Sequence, residues 1–459
     1  MLFNSLEFIF VFLPITLLLF HLSLHFKLVK FAKYILLAAS ITFYGYWDYR
    51  YLLLIGTSVI LNHIVAKIIE NKRSRFFLVL GILFNLGLLG YFKYFNFFAV
   101  NLERVFGFQA TLIEIIIPLG ISFYTFQQIA YLVDIYQRKT QTKTLADYSL
   151  FVTFFPQLIA GPIVHHSDLM PQFSRLRTFI TQYANLYRGT FYFLVGLFCK
   201  LVIADNMRPI ANMGFLNAGQ LSFIEAWAAL GAYTLQIYFD FSGYSTMAIG
   251  LALMFNIRIP INFNSPYQAI SIIDFWRRWH ITLSKFLKDY VYIPLGGNRH
   301  GQATRYKNII VTMLIGGLWH GASWTFVIWG GYHGLFLILN HILEKYNLNI
   351  NKVLSRVLTL LIVIYGWAIF RSADFAQLYS ITKDLLGANG FRIHDLFFIW
   401  KHQFVFICLC FAIVLFFPNV QYWSRRIRPN LAWTLYLMII YSVSRLFINK
   451  ASEFVYFKF

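Results

Sequence analysis

Long apolar runs joined by short polar pieces dominate the chain. Apolar stretches cover about Leu6–Phe26, Tyr34–Tyr46, Leu52–Ile69, Phe76–Phe98 and Leu112–Ile135 in the first third. Further on come Thr190–Ala204, Ile224–Ile257, two segments within Asn308–Asn340, then Val353–Phe370, Gln403–Phe417 and Leu431–Ile448. A span needs about 20 apolar residues, whereas a membrane β-strand alternates over about 10. These runs are continuous, so the pattern predicts an all-α polytopic membrane protein with about eleven membrane helices. Re-entrant or interfacial segments are expected beside them. Leu150–His166 carries Pro156, Gly161 and Pro162 within a short apolar piece, which predicts a broken helix or re-entrant segment.

The polar joints set an orientation. Lys27, Lys30 and Lys33, then Lys67, Lys72, Arg73 and Arg75, then Arg138, Lys139 and Lys143 fall at every second joint. The joints around Asp48 and Glu103 are less basic. With the basic clusters in the cytoplasm, both termini are expected outside, and Arg425, Arg426 and Arg428 land inside. Arg175, Arg177 and Arg188 fit this scheme less readily. By this count 258–307 is a cytoplasmic interfacial segment. Phe275, Trp279, Leu283, Phe286 and Leu287 recur there at helical spacing, and basic residues supply the other face. That predicts an amphipathic helix over Ile272–Tyr292.

Composition agrees. Of 459 residues, 59% are hydrophobic and 12% charged, half the charged share of an ordinary soluble domain. The formal charge of +21 is explained by the cytoplasmic clusters, and no groove-reading motif accompanies it, so nucleic acid is not an expected partner. Cys199, Cys408 and Cys410 lie in apolar runs without metal-ligand spacing, and no metal is expected. There is no internal repeat and no soluble domain, so 1–459 reads as one integral-membrane domain, with membrane lipids around it.

The candidate chemistry sits in 308–340. His320 lies among uncharged residues, with His333 further along. A titratable ring at membrane depth is either a functional group or a hydrogen-bonded structural one. His333 would lie about 20 Å from His320 along one continuous helix, though Gly321 and Gly330-Gly331 interrupt it; it reads as structural. Asp240 is either an ion-pair partner or part of a site. Walker A, GxSxG, HExxH and GxGxxG signatures are missing. The remaining inventory of imidazoles, amides and aromatics suits general-base activation of a hydroxyl.

DFWRRWHITLSKFLKDYVYIPLGGNRHG followed by GGLWHGASWTFVIWGGYHG resembles the membrane-bound O-acyltransferase superfamily. The likeness is to its branch of bacterial alginate and peptidoglycan O-acetyltransferases, and more remotely to the D-alanyl transfer protein of teichoic acids. FPQLIAGPIV at Phe155–Val164, YFDFSGYSTMAIG at Tyr238–Gly250, FNSPY at Phe263–Tyr267 and the terminal EFVYFKF add to it. The resemblance implies an enzyme that moves an acyl group, above all acetyl, from a cytoplasmic thioester to an extracytoplasmic polysaccharide. It implies His320 as the catalytic base and His280 as a second functional histidine. Arg277, Arg278 and Lys285 would attract the donor's phosphates; Trp319, Asp240 and Gln157 join the candidate binding and orienting set. His165 and His166 follow GPIV where close relatives are expected to carry an Arg. No tightly bound cofactor is implied; the donor is acetyl-CoA or an acyl carrier thioester. A bacterial inner-membrane location and an extracytoplasmic hydrolase-like partner are further implications. The rival readings are a transporter of the acyl group without chemistry of its own and a long-chain lipid or protein acyltransferase.

Overall fold

A computed structural model describes residues 1–107, 109, 111–159, 161–347, 351–391 and 401–448. The terminal EFVYFKF lies outside the described residues. The described residues are helical and contain no strand. Among the described residues, six helices are long and apolar enough to cross a membrane. The chain divides into two compact units: residues 1–194, 244–260 and 428–437, and residues 195–243, 261–427 and 438–459.

The first unit opens with α1 (Phe8–His25), α2 (Val29–Gly45), α3 (Arg50–Lys72) and α4 (Arg75–Phe106). Phe8, Phe12, Phe43 and Phe155 pack ring against ring with centroids 5.3–6.2 Å apart. Between α3 and α4, Asn85 Nδ2 donates to Asn62 Oδ1 at 2.6 Å. Side-chain amides hold helices together where lipid offers no hydrophobic drive between them. The run expected from Leu112 is not helical before Pro118; α5 spans Ile121–Tyr136. The cause is local: Gly120 has φ 73°, and a Cβ there would sit 2.6 Å from the Leu158 carbonyl oxygen. The stretch around Pro156 is broken as its prolines and glycine require. Helix α6 (Leu145–Thr153) ends, one turn follows at Phe155–Leu158, and 161–165 has no regular structure.

Helices α7 (Tyr183–Leu216) and α8 (Phe223–Met254) enter the second unit from Val195 onward and up to Gly243. The expected amphipathic helix is instead two short ones, α9 (Ile272–Arg278) and α10 (Ile281–Leu287). The break falls at Trp279-His280, where His280 adopts φ 44°. The 262–264 strip takes up the freed backbone groups. Asn264 N–H donates to the Arg278 carbonyl at 2.9 Å, and Ile281 N–H to the Asn262 carbonyl at 3.0 Å. The periodic apolar residues do share one environment, but it is protein: Phe275, Trp279, Leu283, Phe286 and Leu287 are all buried.

Helices α11 (Gly301–His320) and α12 (Trp324–Lys345) form a hairpin. Glycine lets the two backbones touch. A Cβ at Gly317 would lie 2.2 Å from the Phe326 carbonyl oxygen, and one at Gly330 would lie 2.1 Å from that of Met313. The unit continues with α13 (Lys352–Arg371), α14 (Phe375–Leu385), α15 (Lys401–Phe416) and α16 (Leu431–Phe447), the last belonging to it from Met438.

Candidate active site

The hairpin and the α9–α10 turn bring the two motif histidines together. His320 ends α11, His280 opens α10, and their ring centroids are 6.4 Å apart. The 39 intervening residues of charged loop and span gave no hint of this closeness. Both rings are buried, at 3% and 0% exposure.

His280 is locked. Its Nδ1 lies 3.1 Å from Asn262 Oδ1, which also accepts from the Thr282 backbone N–H at 3.3 Å and from Thr282 Oγ1 at 2.9 Å. A backbone N–H can only donate, so the shared Asn262 atom is the oxygen. The neutral ring must then carry its proton on Nδ1, and Nε2 carries the lone pair. Nε2 has no hydrogen-bond partner among the described residues. Phe241 meets the ring edge-on at 4.7 Å. The left-handed backbone of residue 280 completes the clamp.

Aromatic faces surround His320. Trp319, Trp329 and Phe370 lie 5.0, 5.1 and 5.3 Å away, and Trp319 also faces His280 at 5.9 Å. Trp329 continues to His333 at 5.0 Å and to Trp367 at 5.8 Å. The hairpin fold therefore leaves one indole between His333 and His320. Among the described residues, both His333 nitrogens are without hydrogen-bond partners, as is Trp329 Nε1.

The other sequence candidates fall in different places. Asp240 pairs with Lys200 at 2.6 Å, and Lys200 with Asp205 at 2.8 Å. Lys200 and Asp240 are 2% and 1% exposed, a buried ionic group one residue before Phe241. Arg278 pairs with Asp274 at 2.8 Å, whereas Arg277 and Lys285 are exposed. Gln157 belongs to the first unit and donates to the Phe151 carbonyl at 2.7 Å. His166, also in the first unit, sits 2.9 Å from Thr140 Oγ1 and against Tyr131.

Sequence reasoning missed Asn262, Trp329, Trp367 and Phe370. Asn262 stands one residue before FNSPY and was reachable from that motif. The aromatics read as ordinary span residues. Also missed was a cavity of about 330 Å³. Its lining includes Phe326 and Phe370 together with Arg208, Tyr233, Gln236 and Arg371. Phe370 is part of this lining and is also a neighbour of His320.

Paired buried imidazoles in a helical membrane core are the equipment of an integral-membrane enzyme that works by proton transfer. Residues 136–370 match the profile of MBOAT, the membrane-bound O-acyltransferase family, and the chain belongs to that family. It is 45% identical over 424 residues to a peptidoglycan O-acetyltransferase of Helicobacter pylori, covering 85% of this chain and 80% of that protein. It is 40% identical over 407 residues to the probable alginate O-acetylase AlgI of Pseudomonas aeruginosa, covering 86% and 77%. A teichoic acid D-alanyltransferase of Bacillus subtilis is 27% identical over 276 residues, 56% of this chain and 69% of that one. The protein is thus a multi-pass membrane O-acyltransferase.

Proposed function

We propose that this enzyme takes an acetyl group from a cytoplasmic thioester and delivers it toward a hydroxyl of an extracytoplasmic glycan, in a bacterial inner membrane with both termini outside. The names of the relatives supply the glycan and the acetyl group. The positive joints supply the orientation. The observation that carries the mechanism is the 6.4 Å approach of His280 and His320 in a buried aromatic core.

His320 takes the proton of the acceptor hydroxyl as its oxygen forms a bond to the acyl carbon. The carbon–sulfur bond breaks, the thiolate leaves with its electron pair, and the proton on His320 passes to it. His280 cannot swing, because Asn262 fixes it. Its Nε2 lone pair accepts a hydrogen bond from the bound substrates and sets their angle to His320. Trp319 and Trp329 exclude water from the reacting atoms. Arg277 and Lys285 are exposed and offer charge to an anionic donor such as acetyl-CoA or an acyl carrier thioester, while Arg278 is tied to Asp274. No cofactor is needed by this scheme. The hydroxyl acylated at His320 belongs to an intermediate acceptor, from which an extracytoplasmic hydrolase-like partner completes the transfer to the glycan.

The test is glycan O-acetylation in cells carrying wild type, His320→Ala or a deletion, with membrane protein level checked by blotting. Base-labile acetate is counted from each envelope and exopolysaccharide fraction. One fraction should lose acetate in both mutants, and that fraction names the acceptor. Acetate retained by His320→Ala but lost on deletion sinks the catalytic assignment.

A further inference from the structure

Two of the basic joints meet in the first unit. A cavity of about 190 Å³ lies between the starts of α2 and α6, each of which follows a basic joint. Lys30, Lys33, Tyr34 and Leu37 of α2 line it, and Thr144, Asp147 and Leu150 come from α6 and its N-cap. The α2 residues recur at i, i+3, i+4 and i+7, so they share one helix face.

The lining changes character along that face. From Lys30 to Leu37 is about 10 Å of helix, and over it the side chains pass from ammonium through phenol to leucine. Lys33 is engaged: it forms an ion pair with Asp147, whose carboxylate also accepts from Thr144 Oγ1 at 2.9 Å. Lys30 is exposed and is in no ion pair among the described residues. The lining therefore carries one positive charge beyond the Lys33–Asp147 pair, and the exposed Lys27 and Lys143 flank it in the two joints. Phe31, Tyr34 and Leu145 are exposed beside the lysines, as suits residues at the headgroup level of a bilayer. At the apolar end Leu150 is 1% exposed. A small inorganic anion has no use for the leucines, and an apolar molecule has none for Lys30. The occupant must carry an anionic head and an apolar tail.

We propose that this cleft binds one anionic glycerophospholipid of the surrounding leaflet, with its phosphodiester at Lys30 and its chains running past Tyr34 toward Leu37. The proposal rests on the orientation given above, which puts both joints at one membrane surface. Basic pockets between membrane helices on that side take such headgroups. The volume is below the range of about 300–1,000 Å³ typical of small-molecule pockets, which suits a headgroup whose chains remain in the bilayer. The same two helices frame the broken segment after α6. Phe155 N–H donates to Ser40 Oγ of α2 at 3.2 Å, and Phe43 of α2 packs on Phe155 at 5.5 Å. A lipid joining α2 to α6 at the membrane surface braces that segment from its other end.

The test uses the purified full chain, stripped of lipid in a neutral detergent. Native mass spectrometry counts retained lipid and melting curves read stabilisation. The probes are dioleoylphosphatidylglycerol, dioleoylphosphatidylcholine and inorganic phosphate. The chain should retain phosphatidylglycerol and melt higher with it, and the other two probes should do neither. Lys30→Gln should weaken phosphatidylglycerol binding about fivefold, the effect of one lysine at an anionic surface, and Lys30→Arg should keep it. Lys72→Gln, at the exposed end of α3 on the same side, should change nothing. Equal retention of phosphatidylcholine, equal stabilisation by phosphate, or unchanged binding in Lys30→Gln would each overturn the proposal. So would a loss in Lys72→Gln as large as that in Lys30→Gln, which would mean a diffuse positive surface. If Lys30→Gln does not elute as a single folded species, the three probes on the wild type decide. Binding in detergent reads neither acyl transfer nor orientation, so a failure here leaves the glycan-acetate test standing, and a failure there does not decide this one.

Discussion

Helix α4 and the α11–α12 hairpin are both helical and both built for a membrane, yet they use opposite chemistry. On α4, Phe76, Leu80, Leu83 and Leu86 are exposed and the buried residues are few, Gly81, Asn85 and Leu89 among them. On the hairpin, Trp319, His320, Trp329 and His333 are buried, and glycines stand where the backbones meet. The first helix is apolar because it faces outward. The second can be more polar because protein, not lipid, surrounds its functional face. In a membrane protein the most hydrophobic segments are therefore the least informative about chemistry, and a lapse in hydropathy points at the site.

That contrast can be broken at several points. The largest effect should come from His320→Ala in the purified enzyme, with a loss of about 10²- to 10⁴-fold in acyl transfer. The matched change at the exposed His25 of α1 should leave the rate where it was. Equal losses at both positions would erase the distinction between rim and core. Next comes the buried ionic group. Lys200→Met leaves Asp205 and Asp240 facing each other without a cation and should cost about 3–5 kcal/mol in thermal unfolding. Adding Asp240→Asn should recover part of that loss, whereas a purely steric fault at residue 200 would not be rescued.

A smaller effect separates the glycines. Gly330→Ala drives a methyl into the Met313 carbonyl and should destabilise by about 1–3 kcal/mol. Gly87→Ala on α4 meets nothing within 4 Å and should be neutral or gain up to about 1 kcal/mol from helix propensity. Melting curves in the same detergent compare them. The smallest effect belongs to Asp48, in the turn before α3. Hydrogen bonds from the Arg50 side chain, then its backbone N–H, hold this carboxyl below its ordinary value. Any stability from the pair is present at neutral pH and is lost as pH falls through the lowered value. Because the pair is exposed, Asp48→Asn should shift the acid limb of a pH–stability curve barely or not at all.

The sequence made the helical class legible, because uninterrupted apolar runs have one solution in lipid. It also marked His280 and His320, each inside a long motif. What it hid follows from folding that is local but not periodic. The left-handed turn at His280 splits a stretch whose apolar spacing looks like one helix, and nothing in WRRWH announces that turn. Gly120 likewise postpones a helix that hydropathy alone would start earlier. The hairpin shortens an expected separation of about 20 Å between His320 and His333 to the width of one indole. Arg208, Tyr233, Gln236 and Arg371 come from three separate helices, and only their convergence on one cavity makes them a group.

The left-handed backbone at His280 also limits how this position can drift during evolution. Most side chains would pay strain there, while asparagine, aspartate and glycine tolerate it. Asparagine is then the natural probe of descent: His280→Asn keeps the bend and removes the imidazole. A lineage that had abandoned the chemistry while keeping the membrane scaffold could cross to asparagine or glycine in one or two nucleotide changes, whereas leucine or valine would carry a strain of about 1–2 kcal/mol at this bend.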